Sequence, residues 1–336
     1  MTYARLSQLA FGHMNAQILY AAVRLGVPEV LARGPLTADE AADAVGCAPA
    51  GLARLLRALV VLGVAAEVTP GRVTLAEMGR PLCADHPRSM RSSVLLLGHP
   101  ATWQAWGALA DGVRDGADAF GHAHGQPLFR YLADDAELSA VFNTAMGEGT
   151  EPVAAAVPLA YDFTGGRTVV DVGGGNGALL AAVLTAAPQA RGILYDSDAG
   201  LADAAATFRR PGLGGRCRMA AGDFFTAVPE GDIMLLKGIL HDWDDQRCVT
   251  ILRNCRRSIA AGGRLLVLEP VLPDQLGTAE AAAAVLSDIA MLVYTGGRER
   301  TAAEFRALLA DAGFSLTEVT PPVAGSAIRI LAAAPA

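Results

Sequence analysis

Residues 169–177 combine the residue types and the spacing of a nucleotide-binding turn. A β-branched run from Val169 to Val172 precedes four glycines within residues 173–177, and an alanine- and leucine-rich stretch follows. This order predicts a strand, a tight turn and a helix. Glycines let a ligand lie against bare backbone, and a helix N-terminus offers it unpaired N–H groups. The stretch therefore predicts the opening strand, turn and helix of a nucleotide-binding domain.

The glycine pattern is compatible with two kinds of cofactor. Gly173, Gly175 and Ala178 satisfy the dinucleotide fingerprint of NAD-binding domains. Gly173, Gly175 and Gly177 instead resemble the first motif of S-adenosylmethionine (SAM) methyltransferases. Asp196, at the end of the second predicted strand, suits the ribose hydroxyls of either cofactor. The position of the motif halfway along the chain, after a long helical segment, weighs against NAD.

A second group of polar residues follows the apolar strand predicted over residues 232–237. Lys237, His241, Asp242 and Trp243 come at its end, at the carboxyl edge of a parallel sheet, where open α/β folds bind ligands. An imidazole exchanges a proton near neutral pH, so His241 is a candidate general base. An isolated histidine is more often a structural residue, and its role therefore depends on the residues around it.

Seven motifs, in order along the chain, resemble those of one enzyme family. They are Asp171 to Gly177, Gly222-Asp223-Phe224-Phe225, Leu235 to Trp243, Cys248 to Cys255, Ala261-Gly262-Gly263, Glu269, and Gly296-Gly297-x-Glu299-Arg300-Thr301. The series resembles the SAM-dependent O-methyltransferases of the plant caffeic acid and flavonoid type, whose bacterial members methylate phenolic natural products. Each motif alone is weak, but together with the N-terminal segment the resemblance covers nearly the whole chain.

The resemblance implies catalytic roles for three residues. The general base of the family falls on His241, and the two acids that flank it fall on Glu269 and Glu299. A phenol has a pKa of about 10, so a positioned imidazole can take its proton as the methyl group moves. A carboxylate on the other ring nitrogen fixes the tautomer, and the sequence leaves open which glutamate supplies it. Glu299, between Arg298 and Arg300, could instead form a surface ion pair.

The resemblance also implies SAM as cofactor and assigns residues to it and to the acceptor. The expected cofactor-binding residues are Gly173, Gly175, Asp196, Asp223, Phe224 and Lys237. The glycines would hold the amino-acid end of SAM, Asp196 the ribose, and Asp223 with Phe224 the adenine, while Asp171 would brace the turn. The expected acceptor-binding residues are Phe142, Met146, Trp243 and Met291, each of which could equally be a core residue.

No metal is expected at the site. His122 and His124 invite a metal interpretation, but no acidic or cysteine residue stands at ligand spacing from them. The family that the motifs resemble works without a metal.

The elements that position these residues fall into three predicted regions. Residues 1–100 are mainly helical with a winged-helix pattern, in which Thr37 and Glu40 predict a capping box and residues 64–75 a hairpin. Residues 101–164 are predicted to be a helical connector that lines the acceptor pocket. Residues 165–336 are predicted to form a Rossmann-like α/β domain with a mainly parallel, doubly wound sheet.

In that last region the predicted strands alternate with the predicted helices. The strands are expected at residues 168–172, 192–195, 217–221, 232–237, 264–269 and 327–333, and the helices at 177–186, 199–210, 245–260 and 302–312. The first region is expected to form a homodimer, as the dimerisation domain of the family does.

Composition limits the partners and the compartment. The 336 residues are 52% hydrophobic with a net charge of −7, enough for two domains with real cores. The negative charge, with only Arg54 and Arg57 as cations in the candidate recognition helix 49–61, argues against binding of nucleic acid.

No run reaches about 18 apolar residues, and no signal-peptide pattern is seen. Five cysteines without a CxxC pair indicate buried thiols in the cytoplasm. We therefore expect a cytoplasmic protein that binds neither nucleic acid nor membrane.

The leading interpretation is a homodimeric, metal-independent SAM-dependent O-methyltransferase of bacterial secondary metabolism, acting on a phenolic or polyketide-like hydroxyl. One alternative is a relative that keeps the fold and SAM but catalyses hydroxylation, decarboxylation or pericyclic ring formation. A winged-helix regulator with a ligand-sensing domain is a further alternative, but the sparse cations argue against it. An NAD oxidoreductase is the least favoured, because no second motif supports a nicotinamide cofactor.

Overall fold

The computed structural model describes residues 2–323 and 326–336, which form two compact units. The first unit comprises Met1–Trp103 and Glu137–Glu148, and the second comprises Gln104–Ala136 and Gly149–Ala336. Among the residues expected to do chemistry, Phe142 and Met146 belong to the first unit and the others to the second.

The first unit is mainly helical. It contains α1 (Thr2–Ala10), α2 (Gly12–Arg24), α3 (Val27–Leu31), α4 (Ala38–Val45), α5 (Pro49–Val61), β1 (Ala65–Thr69), β2 (Arg72–Leu75), a 3-10 helix (Glu77–Leu82) and α6 (Arg91–Gly98). The capping box is confirmed, since Glu40 N–H donates to Thr37 Oγ1 and Thr37 N–H donates to Glu40 Oε2. β1 and β2 form the expected antiparallel hairpin.

A group of helices follows the first unit's hairpin and α6. They are α7 (Pro100–Gly107), α8 (Leu109–Asp115), α9 (Ala119–His124), α10 (Leu128–Asp134) and α11 (Ala136–Ala160). Among the described residues, no single helix has both the length and the apolar composition to cross a membrane. Only α4 and α5, bent by 110° at their break, meet those two criteria as a pair.

The second unit is built on one mixed sheet with a parallel centre. Its strands are β3 (Thr168–Val172), β4 (Arg191–Asp196), β5 (Cys217–Ala221), β6 (Gly231–Lys237), β7 (Ile259–Leu272), β8 (Arg300–Thr301), β9 (Phe314–Val319) and β10 (Ile328–Pro335). Strands β3 to β7 run parallel in the order β5-β4-β3-β6-β7, β10 and β9 continue the sheet antiparallel, and β8 pairs with β7. The predicted mainly parallel sheet is confirmed, with an antiparallel edge that the sequence pattern did not reveal.

Helices cover both faces of this sheet. They are α12 (Ala178–Ala186), α13 (Ala204–Phe208), α14 (Asp245–Ser258), α15 (Ala279–Tyr294) and α16 (Ala302–Asp311). Alternate residues of β7 enter different cores: Leu266 and Leu268 face one hydrophobic cluster, and Leu265 and Val267 face the other. A sheet buried on both faces explains why its strands read as continuous apolar runs.

The order of the parallel strands also locates the ligand-binding edge. The chain passes from β3 outward to β4 and β5, then returns to β6 on the other side of β3. Crossovers that leave in opposite directions open a crevice at the carboxyl ends of the two central strands. The glycine turn follows β3 and the His241 loop follows β6, so the fold brings both to this crevice.

Candidate active site

The turn between β3 and α12 has the backbone that its glycines predict. Gly173, Gly175 and Gly177 have φ values of 71°, 56° and 77°, in the left-handed region that favours glycine. A Cβ on Gly173 would overlap the side chain of Ile239, whereas one on Gly175 would meet nothing within 4 Å. The turn therefore leaves bare backbone facing open space, as a ligand that lies against the main chain requires.

Two acids and an aromatic ring stand at or just after the ends of β4 and β5, the two strands on one side of β3. Asp196, at the end of β4, accepts a hydrogen bond of 2.8 Å from the Gly175 N–H. Asp223 follows β5 and is exposed, with its carboxylate accepting the Phe225 N–H over 2.9 Å. The ring of Phe224 lies 3.8 Å from the position of a Cβ on Gly173. These groups fit the three parts of SAM. A carboxylate suits the ribose hydroxyls, a second carboxylate and a ring face suit the adenine, and bare backbone suits the amino-acid end.

Lys237 and Asp171 lie at the ends of the two central strands. Burial lowers the pKa of Lys237, and the negative charges of Glu269 and Asp171 oppose that shift. Burial, with the charge of Asp196, raises the pKa of Asp171 to about 7. Asp171 packs under the glycine turn, where a Cβ on Gly174 would clash with its carboxyl group. These contacts are those of a residue that braces the turn.

His241 lies in a 3-10 helix (Leu240–Asp242) between two fully buried carboxylates. Its Nδ1 is 3.0 Å from Glu299 Oε1, with hydrogen-bond geometry, and 3.3 Å from Glu269 Oε2. Glu269 Oε1 accepts instead from the backbone N–H groups of Ile239 and Leu240 at 2.9 and 2.8 Å. Glu299 therefore bonds the imidazole, and Glu269 anchors the backbone of the loop beside it.

Charge around the imidazole favours its protonated form. Burial alone would lower the pKa of His241, but the charges of Glu269, Asp242 and Glu299 outweigh it and raise the pKa to about 10. Burial raises the pKa of Asp242 to about 6, against the charge of His241, and also raises the pKa of Glu269. A proton accepted by this imidazole is therefore stabilised by the carboxylates around it.

Two residues of α15 hold Glu299 in place. Ser287 Oγ donates to Glu299 Oε1 over 2.7 Å, and the Glu299 N–H donates to Asp288 Oδ1 over 2.9 Å. Only 1% of Glu299 is exposed, so the surface ion-pair interpretation is wrong. The sequence analysis missed Ser287 and Asp288, since a serine and an aspartate within a helix carry no distinctive spacing.

The expected acceptor-binding residues have different surroundings. Met291 is half-buried one helical turn after Ser287, on the same face of α15. Trp243 meets Phe225 edge-on at 4.9 Å between ring centroids and stacks with Phe129 at 5.6 Å. Phe142 and Met146 lie on α11 in the first unit. Acceptor binding by these four residues stays a prediction.

An aromatic pair lies at the end of α15. The indole Nε1–H of Trp106 donates to the Tyr294 hydroxyl over 2.8 Å, and the two rings meet edge-on. Tyr294 comes one turn after Met291, so the pair extends the same side of the helix.

The three central side chains also form a set that could hold a metal. Donor atoms of His241, Glu269 and Glu299 all lie within 4.8 Å of one another. Glu269 Oε1 and Glu299 Oε1 already accept hydrogen bonds from protein groups, which leaves one oxygen on each for a cation. Metal independence stays a prediction.

A glycine turn at the switch point of a parallel sheet, an acid after the second strand and a histidine bonded to a buried glutamate together fit the class of SAM-dependent methyltransferases. Residues 106–315 match the O-methyltransferase domain family, and residues 7–85 match the O-methyltransferase dimerisation domain. The chain belongs to this O-methyltransferase family, as its motifs indicate.

Similar proteins include enzymes of bacterial natural-product synthesis. The chain is 41% identical to O-demethylpuromycin-O-methyltransferase of Streptomyces alboniger over 98% of this chain and 89% of that one. It is 40% identical to a phenazine O-methyltransferase of Lysobacter antibioticus over 96% and 94% of the two chains. A neocarzinostatin-biosynthesis O-methyltransferase, solved with SAM and 2-hydroxy-5-methyl naphthoic acid, is 33% identical over 96% of each chain, with a TM-score of 0.81. The chain is therefore a SAM-dependent O-methyltransferase.

Proposed function

We propose that this enzyme methylates an aromatic hydroxyl of a small bacterial natural product, with His241 as general base. The observation that carries the proposal is the hydrogen bond of 3.0 Å from His241 Nδ1 to buried Glu299. It fixes the tautomer and leaves Nε2 to face the acceptor. The names of the relatives, which concern puromycin, phenazine and naphthoic acid compounds, support an aromatic acceptor.

The proposed role of His241 is to remove the hydroxyl proton as the oxygen attacks. Bound SAM supplies an electrophilic methyl group on a sulfonium. The proton passes to His241 Nε2, and the imidazolium that results is held by Glu299 and Glu269. The form that accepts the proton is the neutral imidazole. Its pKa of about 10 is close to that of a phenol, so proton transfer from the acceptor hydroxyl to the neutral ring costs little free energy.

The remaining assignments place the cofactor and orient the acceptor. Gly173, Gly175, Asp196, Asp223, Phe224 and Lys237 would bind SAM, and Phe142, Met146, Trp243 and Met291 would line the acceptor pocket. The open backbone at Gly175 and the acids that flank it support the first set. The position of Met291 on the face of α15 that reaches Glu299 supports the second.

The test is mass spectrometry of the purified enzyme with SAM and pairs of aromatic compounds. Each pair would hold a free phenol and the same ring with that hydroxyl already methylated. We expect S-adenosylhomocysteine and a mass gain of one methylene unit only from the free phenol. Methylation of amines alone, or conversion of an acceptor without mass gain from SAM, would contradict the proposal and favour a relative with a different reaction.

We propose in addition that the enzyme acts as a homodimer in the cytoplasm, without a metal, nucleic acid or membrane partner. The dimerisation domain supports the dimer. All five cysteines are free thiols, although Cys47 and Cys217 are only half-buried, and free thiols fit a reducing compartment. We keep the division into residues 1–100, 101–164 and 165–336 as a proposal about dimerisation, acceptor binding and catalysis. A chelator should leave turnover unchanged, and loss of activity that zinc or magnesium restores would overturn the metal-free assignment.

A further inference from the structure

One cation of the second unit is completely buried beside the His241 loop. Arg300, in β8, has 0% of its surface exposed. Its Nη1 donates to the Leu240 carbonyl over 2.9 Å, and its Nη2 donates to the Trp243 carbonyl over 2.9 Å. One guanidinium group therefore bridges the backbone on both sides of His241.

The residues next to Arg300 contact the same loop. The Arg298 N–H donates to the His241 carbonyl over 2.8 Å, and Glu299 bonds the His241 imidazole. Gly297 packs so closely against the backbone of His241 that a Cβ on Gly297 would overlap the His241 carbonyl oxygen. A single segment, residues 297–300, thus sets both the backbone of the loop and the direction of the histidine ring.

The ion-pair partner of Arg300 follows the loop directly along the chain. Asp245, in the first turn of α14, accepts from Arg300 Nε over 3.0 Å and from Nη2 over 2.7 Å. A guanidinium is always charged and holds a planar fork of donors. It can therefore bind two carbonyls and a carboxylate in one fixed geometry, which a lysine cannot reproduce.

We propose that Arg300 is a positioning residue for the methyl-transfer reaction. It holds the Leu240–Trp243 backbone so that the imidazole of His241 meets Glu299 on one side and the acceptor hydroxyl on the other. This inference rests on the proposed role of His241 as general base.

The first test compares Arg300→Met, Arg300→Lys and a control, Arg216→Met. Arg216 also donates its guanidinium to backbone carbonyls, those of Leu184, Ala187 and Ala190, at the end of α12 remote from the His241 loop. Arg300→Met should lower kcat about 30-fold or more, since a small displacement of a catalytic group has such an effect. The acceptor KM and the SAM affinity should stay within about threefold. Arg300→Lys should recover part of the lost kcat, and Arg216→Met should lower thermal stability with kcat unchanged.

The second test places Arg300→Met in the His241→Gln background. If Arg300 acts through His241, its substitution should have almost no further effect on kcat there, because the two residues form one unit. In the otherwise wild-type enzyme, the ionisation that governs kcat should also move to lower pH, since a displaced imidazole loses part of its carboxylate contact.

The outcomes separate this inference from the proposed function. Two results would overturn the positioning role while leaving the His241 assignment intact. One is a kcat near wild type in Arg300→Met, and the other is an equal decrease in kcat from Arg300→Met in the wild-type and His241→Gln enzymes. If His241→Gln itself keeps wild-type turnover, the base assignment fails, and the positioning role fails with it.

Discussion

At the scale of single residues, the two glutamates beside His241 differ in what they contact. Glu299 bonds the ring, whereas Glu269 places one oxygen on two backbone N–H groups and the other 3.3 Å from the ring nitrogen. One acid fixes the ring tautomer, and the other combines a negative charge with an anchor for the loop. This difference assigns separate roles to two acids that the sequence could not distinguish.

His241→Gln should keep the fold and SAM affinity while lowering methyl transfer about 100-fold or more, the usual contribution of a positioned base. Glutamine has a similar volume and can still hydrogen-bond, so the carboxylates lose little contact. Calorimetric titration with SAM and single-turnover kinetics would measure the two effects separately. Wild-type turnover in this variant would exclude His241 as the base.

Glu299→Gln and Glu269→Gln should each reduce turnover less than His241→Gln, because an amide oxygen can replace some contacts and the second carboxylate remains. Both should lower the pKa of His241, since each removes a negative charge that raises it. NMR titration of labelled histidine, assigned with His241→Gln, would follow the imidazole directly. Glu318→Gln serves as the control, because Glu318 is exposed on β9 and far along the chain from the site residues. Additive losses when the three substitutions are combined would show that the residues do not act as one unit.

Asp171 makes a pH-dependent contribution to stability. Its pKa is about 7 in the folded enzyme and about 3.9 in an unfolded chain, so the fold binds this proton more tightly. The free energy of unfolding should therefore fall as pH rises between these two pKa values, and the full loss of stability is present above the folded pKa. Asp171→Asn cannot ionise. Its free energy of unfolding relative to wild type should rise by roughly 2–4 kcal/mol between about pH 4 and pH 8 in denaturant titrations. A difference that stays constant with pH would contradict the shift.

At the scale of elements, local patterns predicted the parallel strands well. The predicted strands 168–172 and 217–221 match β3 and β5, and β3 is the clearer of the two because it is a β-branched run that ends at a glycine turn. The helix predicted over 199–210 shortens to Ala204–Phe208. Before it, the Ser197 N–H donates to the Asp196 carboxylate and the Gly200 N–H donates to Ser197 Oγ, which makes a turn instead of a helix. The antiparallel β9–β10 edge depends on pairing between distant residues, which local periodicity does not encode.

Some residues of the candidate site could be predicted from local sequence, and others could not. His241 and the glycine turn stand at strand ends, at the edge where open α/β folds bind ligands, and the motifs around them indicated their roles. Arg300 lies in a charged tripeptide that is typical of a surface, yet it is buried because β8 pairs with β7. Its role could not be predicted from spacing, since burial of that segment is a property of the tertiary fold.

The segment that carries Glu299 and Arg300 should be sensitive to a single methyl group. Gly297→Ala would place its Cβ on the His241 carbonyl oxygen, so the segment must shift. We expect a kcat at least about tenfold lower and a loss of stability of roughly 1–3 kcal/mol, as for overpacked sites. Gly51→Ala in α5 is the matched control, because a Cβ there meets nothing within 4 Å and alanine favours a helix. Kinetics and thermal unfolding measure both, and wild-type kcat in Gly297→Ala would contradict the close contact.

At the scale of the whole molecule, the first two helices and the residue between them expose five large apolar side chains. Tyr3, Leu6, Leu9, Phe11 and Met14 are 85, 64, 70, 61 and 52% exposed. Clusters of exposed apolar side chains mark places where another chain binds. The match of residues 7–85 to a dimerisation domain indicates that the partner is a second copy.

Leu6→Asp combined with Leu9→Asp should therefore convert a dimer into a monomer at micromolar concentration, because two charges would have to be buried at a symmetric interface. The matched control is Leu159→Asp in the second unit, where the side chain is 89% exposed and outside the dimerisation domain. Sedimentation velocity would give the mass of each variant, and circular dichroism would show whether the helices remain folded. A wild-type monomer would overturn the dimer itself. A double variant that stays dimeric and folded would instead place the interface elsewhere on the molecule.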